Sequence, residues 1–312
     1  VLLFSVCHNR YVLETGITCY MHAIIDISFV EQVRKMHEKH GKIFTWKMGV
    51  RNFIFISDFH AIKEAFALPE STNRPHAYSF DVFSNHKRLG FVNNVGLASQ
   101  NLRRFTLTNL RNSGMGKSSM ENIIKYELEC FIEDLKKYCG KPVEIPWSLN
   151  IAIINTLWKI VADEELVYTL SDMFSAGSET TSSTFRWTIL YLIKYPEIQK
   201  KVHQEIDKAL PRDRLPSLLD KDQLVYTQAV INEVLRVNPI AMFGLYHAFD
   251  KDIEINGNCI PKDAIVLPSI LLCHNDPDYW EDPKSFKPER FITSDGKLDS
   301  NKEGFLPFSL GK

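Results

Sequence analysis

The 312 residues contain no uninterrupted apolar run long enough to span a bilayer, which takes about 20 residues. VLLFSV (1–6) is apolar but short. It has neither the basic start nor the small-residue cleavage site of a secretory signal. Charge of one sign is also missing: 37 Lys and Arg against 38 Asp and Glu leave a formal net charge of −1. That balance gives no support for nucleic acid or an acidic surface as partner. Cysteine is sparse, at positions 7, 19, 130, 139, 259 and 273. No CxxC pair and no zinc-finger spacing with His occurs, so reduced, mostly buried thiols are expected. No repeat or low-complexity tract is present, which excludes a helical solenoid.

What is there is a mostly helical chain with short strands near both ends. Residues 27–39 carry apolar residues near helical spacing, with Gly41 as a stop. Residues 42–49 and 51–57 read as two strands around a tight turn. A helix over 58–69 is capped by Asp58 and ended by Pro69. Residues 70–98 read as irregular, and 99–138 as helical with a break at 112–116. An apolar helix covers 148–162. The next helix begins near 163 and runs to Lys194, with Pro196 opening another over 196–210. A further helix is expected over 220–239, then short strands and turns near 245–270. Those strands are expected to lie beside 42–57. Residues 277–291 are Pro-rich and irregular.

One stretch of the helix beginning near 163 is unlike its flanks. FSAGSETTSSTF (174–185) is a polar island between LVYTLSDMF and RWTILYLI. Gly and hydroxyl residues carry a cost inside a helix. The island therefore reads either as a functional site or as two helices joined by a cap. Further on, Glu233 and Arg236 share one face of an apolar helix through their three-residue spacing. Arg290, in KPERF, offers a third charge for a buried network that would tie down the Pro-rich segment.

Glu233 and Arg236, then Arg290, then FLPFSLG (305–311), resemble the cytochrome P450 family in order and spacing. The island resembles that family's oxygen-binding helix, AGxET(T/S), at Ala176, Gly177, Glu179, Thr180 and Thr181. DPDYWEDPKSFKPERF (276–291) and LRRFTLTNLRNSGMGK (102–117) look like the microsomal family-two type of animals. The resemblance implies a mainly α, P450-like fold with a small β region. It would be one incomplete domain over 1–312. Residues 27–162 would form its N-terminal β/helical part, and 163–312 the oxygen helix, the ExxR helix, strands and the start of the haem loop.

It also implies haem b and monooxygenation of a small apolar organic substrate. Electrons would come from NADPH through NADPH–cytochrome P450 reductase, at the endoplasmic reticulum membrane, through an anchor not visible in these residues. Ala176 and Gly177 would leave room against the porphyrin. Thr180 would anchor a water relay, with Glu179 beside it handling protons. The alternative for Thr180 is a hydroxyl bonded back to the carbonyl four residues earlier. Arg103 and His247 match the positions that pair with the haem propionates. Phe308 and Gly311 match the haem loop.

Three departures accompany the match. Ser99 stands where the family carries Trp, four residues before Arg103. The axial cysteine would fall three positions beyond Lys312, so no metal ligand is assigned and none of the six cysteines matches it. The apolar helix ending near 162 joins the polar-island helix directly, without the helices that roof the family's substrate pocket. Bare apolar surface is then expected around Trp158 and Phe174. The implied alternative is a catalytically inactive, haem-free fragment or isoform, serving as an interaction protein if it serves at all.

Overall fold

A computed structural model describes residues 27–76, 90–112, 115, 118–140, 146, 148–161, 167–262, 264–299 and 301–310. Helix α1 (Ile27–His40) leads into β1 (Ile43–Met48) and β2 (Arg51–Ile56). These strands pair antiparallel from Ile43↔Ile56 to Met48↔Arg51, leaving a two-residue turn in which Gly49 has φ +62°. A short hairpin turn of this kind favours such a residue. Helix α2 (Phe59–Ala67) follows, its first turn held by the Asp58 carboxylate accepting from Ala61 N–H at 2.9 Å.

The helical part continues with α3 (Gly90–Asn93), α4 (Gly96–Asn112), α5 (Ser118–Lys136), α6 (Ser148–Val161), α7 (Val167–Lys194) and α8 (Pro196–Ala209). After α9 (Val225–Val237) come β3 (Ile253–Ile255), β4 (Asn258–Ile260), β5 (Ile265–Pro268) and a short α10 (Ile270–Cys273). The β3–β4 turn is Asn256-Gly257 with both φ values positive, at 51° and 73°, the pairing that a tight right-twisted hairpin requires.

β2 is the central strand of a three-stranded sheet ordered β1-β2-β5. It pairs parallel to β5 from Phe53↔Ile265 to Ile56↔Pro268. The expected meeting of 42–57 with the later strands is therefore realised. Being central, β2 is buried on both faces, and its alternation sorts side chains between two cores. Ile54, Ile56 and Val266 pack with Ile62 and Phe66 of α2. Phe55 and Leu267 face Val33 of α1, Phe44 and Phe243. A third cluster joins Ile198 and Val202 of α8 to Val230 and Val234 of α9 and to Phe286.

Several boundaries differ from the pattern-based expectation. Residues 218–223 form a 3₁₀ turn, not the first turn of α9. The reason is local: Asp220 closes a capping box with Ser217 and takes a two-pronged bond from Arg214 at 2.7 Å, which fixes the backbone in the tighter helix. Within 70–98, residues 69–72 form a 3₁₀ turn, α3 occupies 90–93, and α4 starts at Gly96. Thiol burial also departs from expectation: Cys130, Cys139 and Cys259 are exposed and only Cys273 is buried among the described cysteines. Cys273 ends a short helix. Among the described residues no helix is long and apolar enough to cross a membrane.

Candidate functional site

The polar island lies inside one continuous helix of 28 residues, not at a junction of two. Its hydroxyls turn inward on the helix itself. Thr180 Oγ1 donates to the Ala176 carbonyl, Thr184 to that of Thr180 and Thr188 to that of Thr184, the latter two at 2.8 Å. Each bond of this kind satisfies a hydroxyl without leaving the helix. Ser182 is fully buried and Ser178 nearly so. Ala176 is exposed, and Gly177, Glu179 and Thr180 are half-buried.

Arg103 on α4 and His247, in the bridge that pairs with Val266, come together with a residue that carries no sequence signal of its own, Arg74. The Arg74 guanidinium is only 8% exposed. Its Nη1 lies 2.9 Å from His247 Nδ1, and its Nε donates to the Val92 carbonyl of α3 at 3.3 Å. Val92 N–H in turn donates to Asp172 of α7 at 3.1 Å. One short helix thus links the cationic group to the helix of the polar island. Burial, and then Arg103, pull the Arg74 pKa down to about 10. Burial, and then Arg74, push that of His247 down to about 4, with Arg103 adding to the shift and the Ser71 carbonyl opposing it. Two guanidinium groups and an imidazole at close quarters are a site for an anion with more than one oxygen.

A second assembly holds the irregular segment against α9. Glu233 and Arg236 are both fully buried. Arg236 donates from Nε and Nη2 to the two Glu233 oxygens at 2.7 and 2.8 Å. Its remaining N–H groups reach the carbonyls of His274, Pro283 and Ser285. All five donors of the fork are used. Glu233 Oε1 also accepts from Arg290 Nε at 3.1 Å and from Lys287 N–H at 2.9 Å. Arg290 covers the carbonyls of Glu281, Asp282 and Ser285. Trp280 lies beside both guanidinium groups, its ring centroid 5.2 Å from that of Arg236.

The same assembly roots the loop that follows. His274 is fully buried and its Nδ1 donates to the Arg236 carbonyl at 3.1 Å, while Nε2 accepts Leu306 N–H at 2.8 Å. Burial holds its pKa down at about 3, so the ring is neutral and this tautomer is the one both bonds demand. Gly304 has φ +81°, and a Cβ there would sit 2.7 Å from the Tyr279 Cβ; the turn needs glycine. Past Leu306 the chain emerges: Phe308 is 68% exposed. Gly311 and Lys312 lie outside the described residues.

The group that the resemblance implies can be tested against this chemistry. The Arg74–Arg103–His247 cluster fits the carboxylates of a porphyrin. On the iron side no described thiol is placed to serve as the ligand, and the position that the resemblance gives to that cysteine lies beyond Lys312. Cys273 is buried, donates to the Gly304 carbonyl at 3.6 Å, and burial, with Asp276 and Asp58 behind it, pushes its thiol up, away from the thiolate. Cys130 and Cys139 are exposed on or just after α5, and Cys259 is exposed on β4. Among the described residues no group of His, Cys, Asp and Glu is disposed to hold a metal ion. The expected bare surface is also displaced: Phe174 is half-buried and the Trp158 side chain lies outside the described residues. Exposed apolar side chains instead line α4, with Leu97 at 72% and Phe105 at 56%, and the far end of α7, with Ile193 at 66%.

A long helix with a polar core stretch, an ExxR helix locked to a Pro-rich segment, and a sheet joining both ends of the chain define a P450-type scaffold. The chain belongs to the cytochrome P450 family: the family profile, described as Cytochrome P450, matches residues 17–162 and 160–312. It is 31% identical to cytochrome P450 2L1 of Panulirus argus, over 90% of this chain and 79% of that protein. It is 28% identical to cytochrome P450 2B19 of Mus musculus, over 89% and 77%, and 27% identical to cytochrome P450 2B12 of Rattus norvegicus, over 91% and 78%. The first of these alignments runs over 388 positions against a chain of 312 residues, so the relative carries positions that are missing inside this chain. The two profile matches meet at 160–162, at the end of α6.

Proposed function

We propose that residues 1–312 are an internally shortened P450 scaffold that does not by itself supply a haem–thiolate centre, and that this stretch acts through its surface. The carrying observation is the state of the described thiols: Cys273 is buried, pushed away from the thiolate and engaged with a main-chain carbonyl, and Cys130, Cys139 and Cys259 are exposed on or beside outer elements. The thiolate ligand is what lets a P450-type haem cleave the O–O bond. Support also comes from Thr180, whose hydroxyl is committed to Ala176, and from the missing positions that would roof the site.

The second reading, monooxygenation of a small apolar substrate with electrons from NADPH through a reductase at the endoplasmic reticulum membrane, rests on the family relationship. The rooted turn at Gly304–Leu306 favours it, because that turn presents the following residues for a loop. In that reading Arg74, Arg103 and His247 hold the propionates. Ala176 and Gly177 give the porphyrin face room, and Thr180 must leave Ala176 to hold water, with Glu179 as proton carrier.

A carbon monoxide difference spectrum of the reduced 312-residue chain, reconstituted with haem, separates the two. The first reading predicts no Soret band at the thiolate position. A stoichiometric thiolate-type band overturns it.

A further inference from the structure

His247 Nδ1 is claimed twice. It lies 2.9 Å from Arg74 Nη1 and 2.8 Å from the Ser71 carbonyl oxygen. A ring nitrogen offers either a lone pair or an N–H in that direction. With a lone pair it accepts from Arg74, and the Ser71 oxygen faces a second acceptor. With an N–H it donates to Ser71, and the guanidinium N–H faces another donor. Neither tautomer satisfies both contacts. A buried group left unsatisfied in this way is a standing cost.

The guanidinium is the partner that can yield. Its other bonds, to the carbonyls of Val92 and Asn73, are long at 3.3 and 3.4 Å. Among the described residues no carboxylate pairs with Arg74, so a cation less than a tenth exposed has only neutral acceptors. The ring is packed against Phe66 of α2 with centroids 4.3 Å apart, so it is poorly placed to move instead.

We propose that binding of an oxyanion at the Arg74–His247 pair is coupled to uptake of a proton by the His247 ring. The anion draws Arg74 off Nδ1. The ring then keeps an N–H toward Ser71 and gains a second one at Nε2. The groups that set its charge are Arg74 beside it, Arg103 from α4, and the Ser71 carbonyl; no described carboxylate contributes there. Neutralising the two cations by the ligand removes the main electrostatic opposition to imidazolium. The proton comes from solvent, and ligand affinity rises as pH falls between the bound-state and free-state titrations of the ring.

This deepens the reading of the cluster as a carboxylate site, and one probe is independent of that reading. Inorganic sulfate stays dianionic across the range needed. ¹⁵N spectra of the imidazoles, with His247 assigned from the spectrum of His247→Gln, should show the ring become doubly protonated near pH ~6 as sulfate is added. Sulfate affinity should be roughly tenfold higher near pH ~5 than near pH ~7, and His247→Gln should bind with no such slope. If that variant fails to fold, Arg74→Gln serves: removing the cation should weaken sulfate and leave the ring easier to protonate in the free protein. A ring that stays neutral under saturating sulfate, a slope that survives in His247→Gln, or no sulfate binding at all overturns the proposal. Metal-free mesoporphyrin, a dicarboxylate, gives the second arm. Sulfate-driven protonation without porphyrin binding sinks the porphyrin reading alone. Porphyrin bound with the ring still neutral sinks the proton coupling alone.

Discussion

The irregular segment 274–306 is better built than the long helices beside it. His274, Trp280, Phe291 and Leu306 are all within 1% of complete burial, whereas Leu97 and Phe105 of α4 and Ile193 of α7 are between 56% and 72% exposed. The physical reason lies in the backbone. A helix satisfies its own amides and can stand with one face bare. A segment without regular structure must find partners for every carbonyl it buries. Here two arginines supply donors to its carbonyls and His274 accepts the Leu306 amide, so the segment exists only as part of a packed assembly. The helices thus leave apolar side chains bare, while the ExxR end keeps both burial and hydrogen bonds.

The contrast can be broken most forcefully at Glu233. Glu233→Ala leaves two buried guanidinium groups without their carboxylate, and should cost about 3–5 kcal/mol in chemical unfolding. Unfolding at the wild-type midpoint would show that the network carries no stability. Acid attacks the same end. His274 and His247 are held neutral, with folded pKa values near 3 and 4. Both are depressed below the unfolded value of about 6.5, so their contribution is fully present above that pH and is lost as pH falls toward the folded values. For each histidine the loss approaches ~1.4 kcal/mol per pH unit. Unfolding midpoints between pH ~7 and ~5 should fall steeply in the native chain and less steeply in His274→Gln. Identical slopes would remove His274 from the account. At the other end of the scale, Phe105→Ser on α4 should change stability by no more than ~0.5 kcal/mol. A loss as large as that of Glu233→Ala would mean that α4 is covered in solution.

Much of this was readable in residue spacing. ExxR on an apolar helix placed Glu233 against Arg236, because three residues return to one face. The sheet was readable as two strands at 42–49 and 51–57 around a tight turn, with short strands near 245–270 to join them. Position alone hid the rest. Arg74 sits in STNRPH, where an arginine is ordinarily a solvated turn residue; only the fold brings it to His247. His274 likewise shows its role only once Leu306 arrives. The 3₁₀ turn at 218–223 fitted a helical pattern, and the Asp220–Arg214 pair decided otherwise. The island's Ser and Thr suggested a break, but their side chains bond back to helix carbonyls and leave the helix whole. Thiol burial failed as an expectation because cysteine carries too little apolar area to dictate which way α5 or β4 turns.

Native-state hydrogen exchange followed by mass spectrometry tests the central contrast directly. Amides of α9, and the bonded amides within 274–306 such as those of Lys287 and Leu306, should exchange only through global unfolding. Those of α4 should exchange through local opening, faster by roughly a hundredfold or more. Equal protection of α4 and the 274–306 segment would contradict the account.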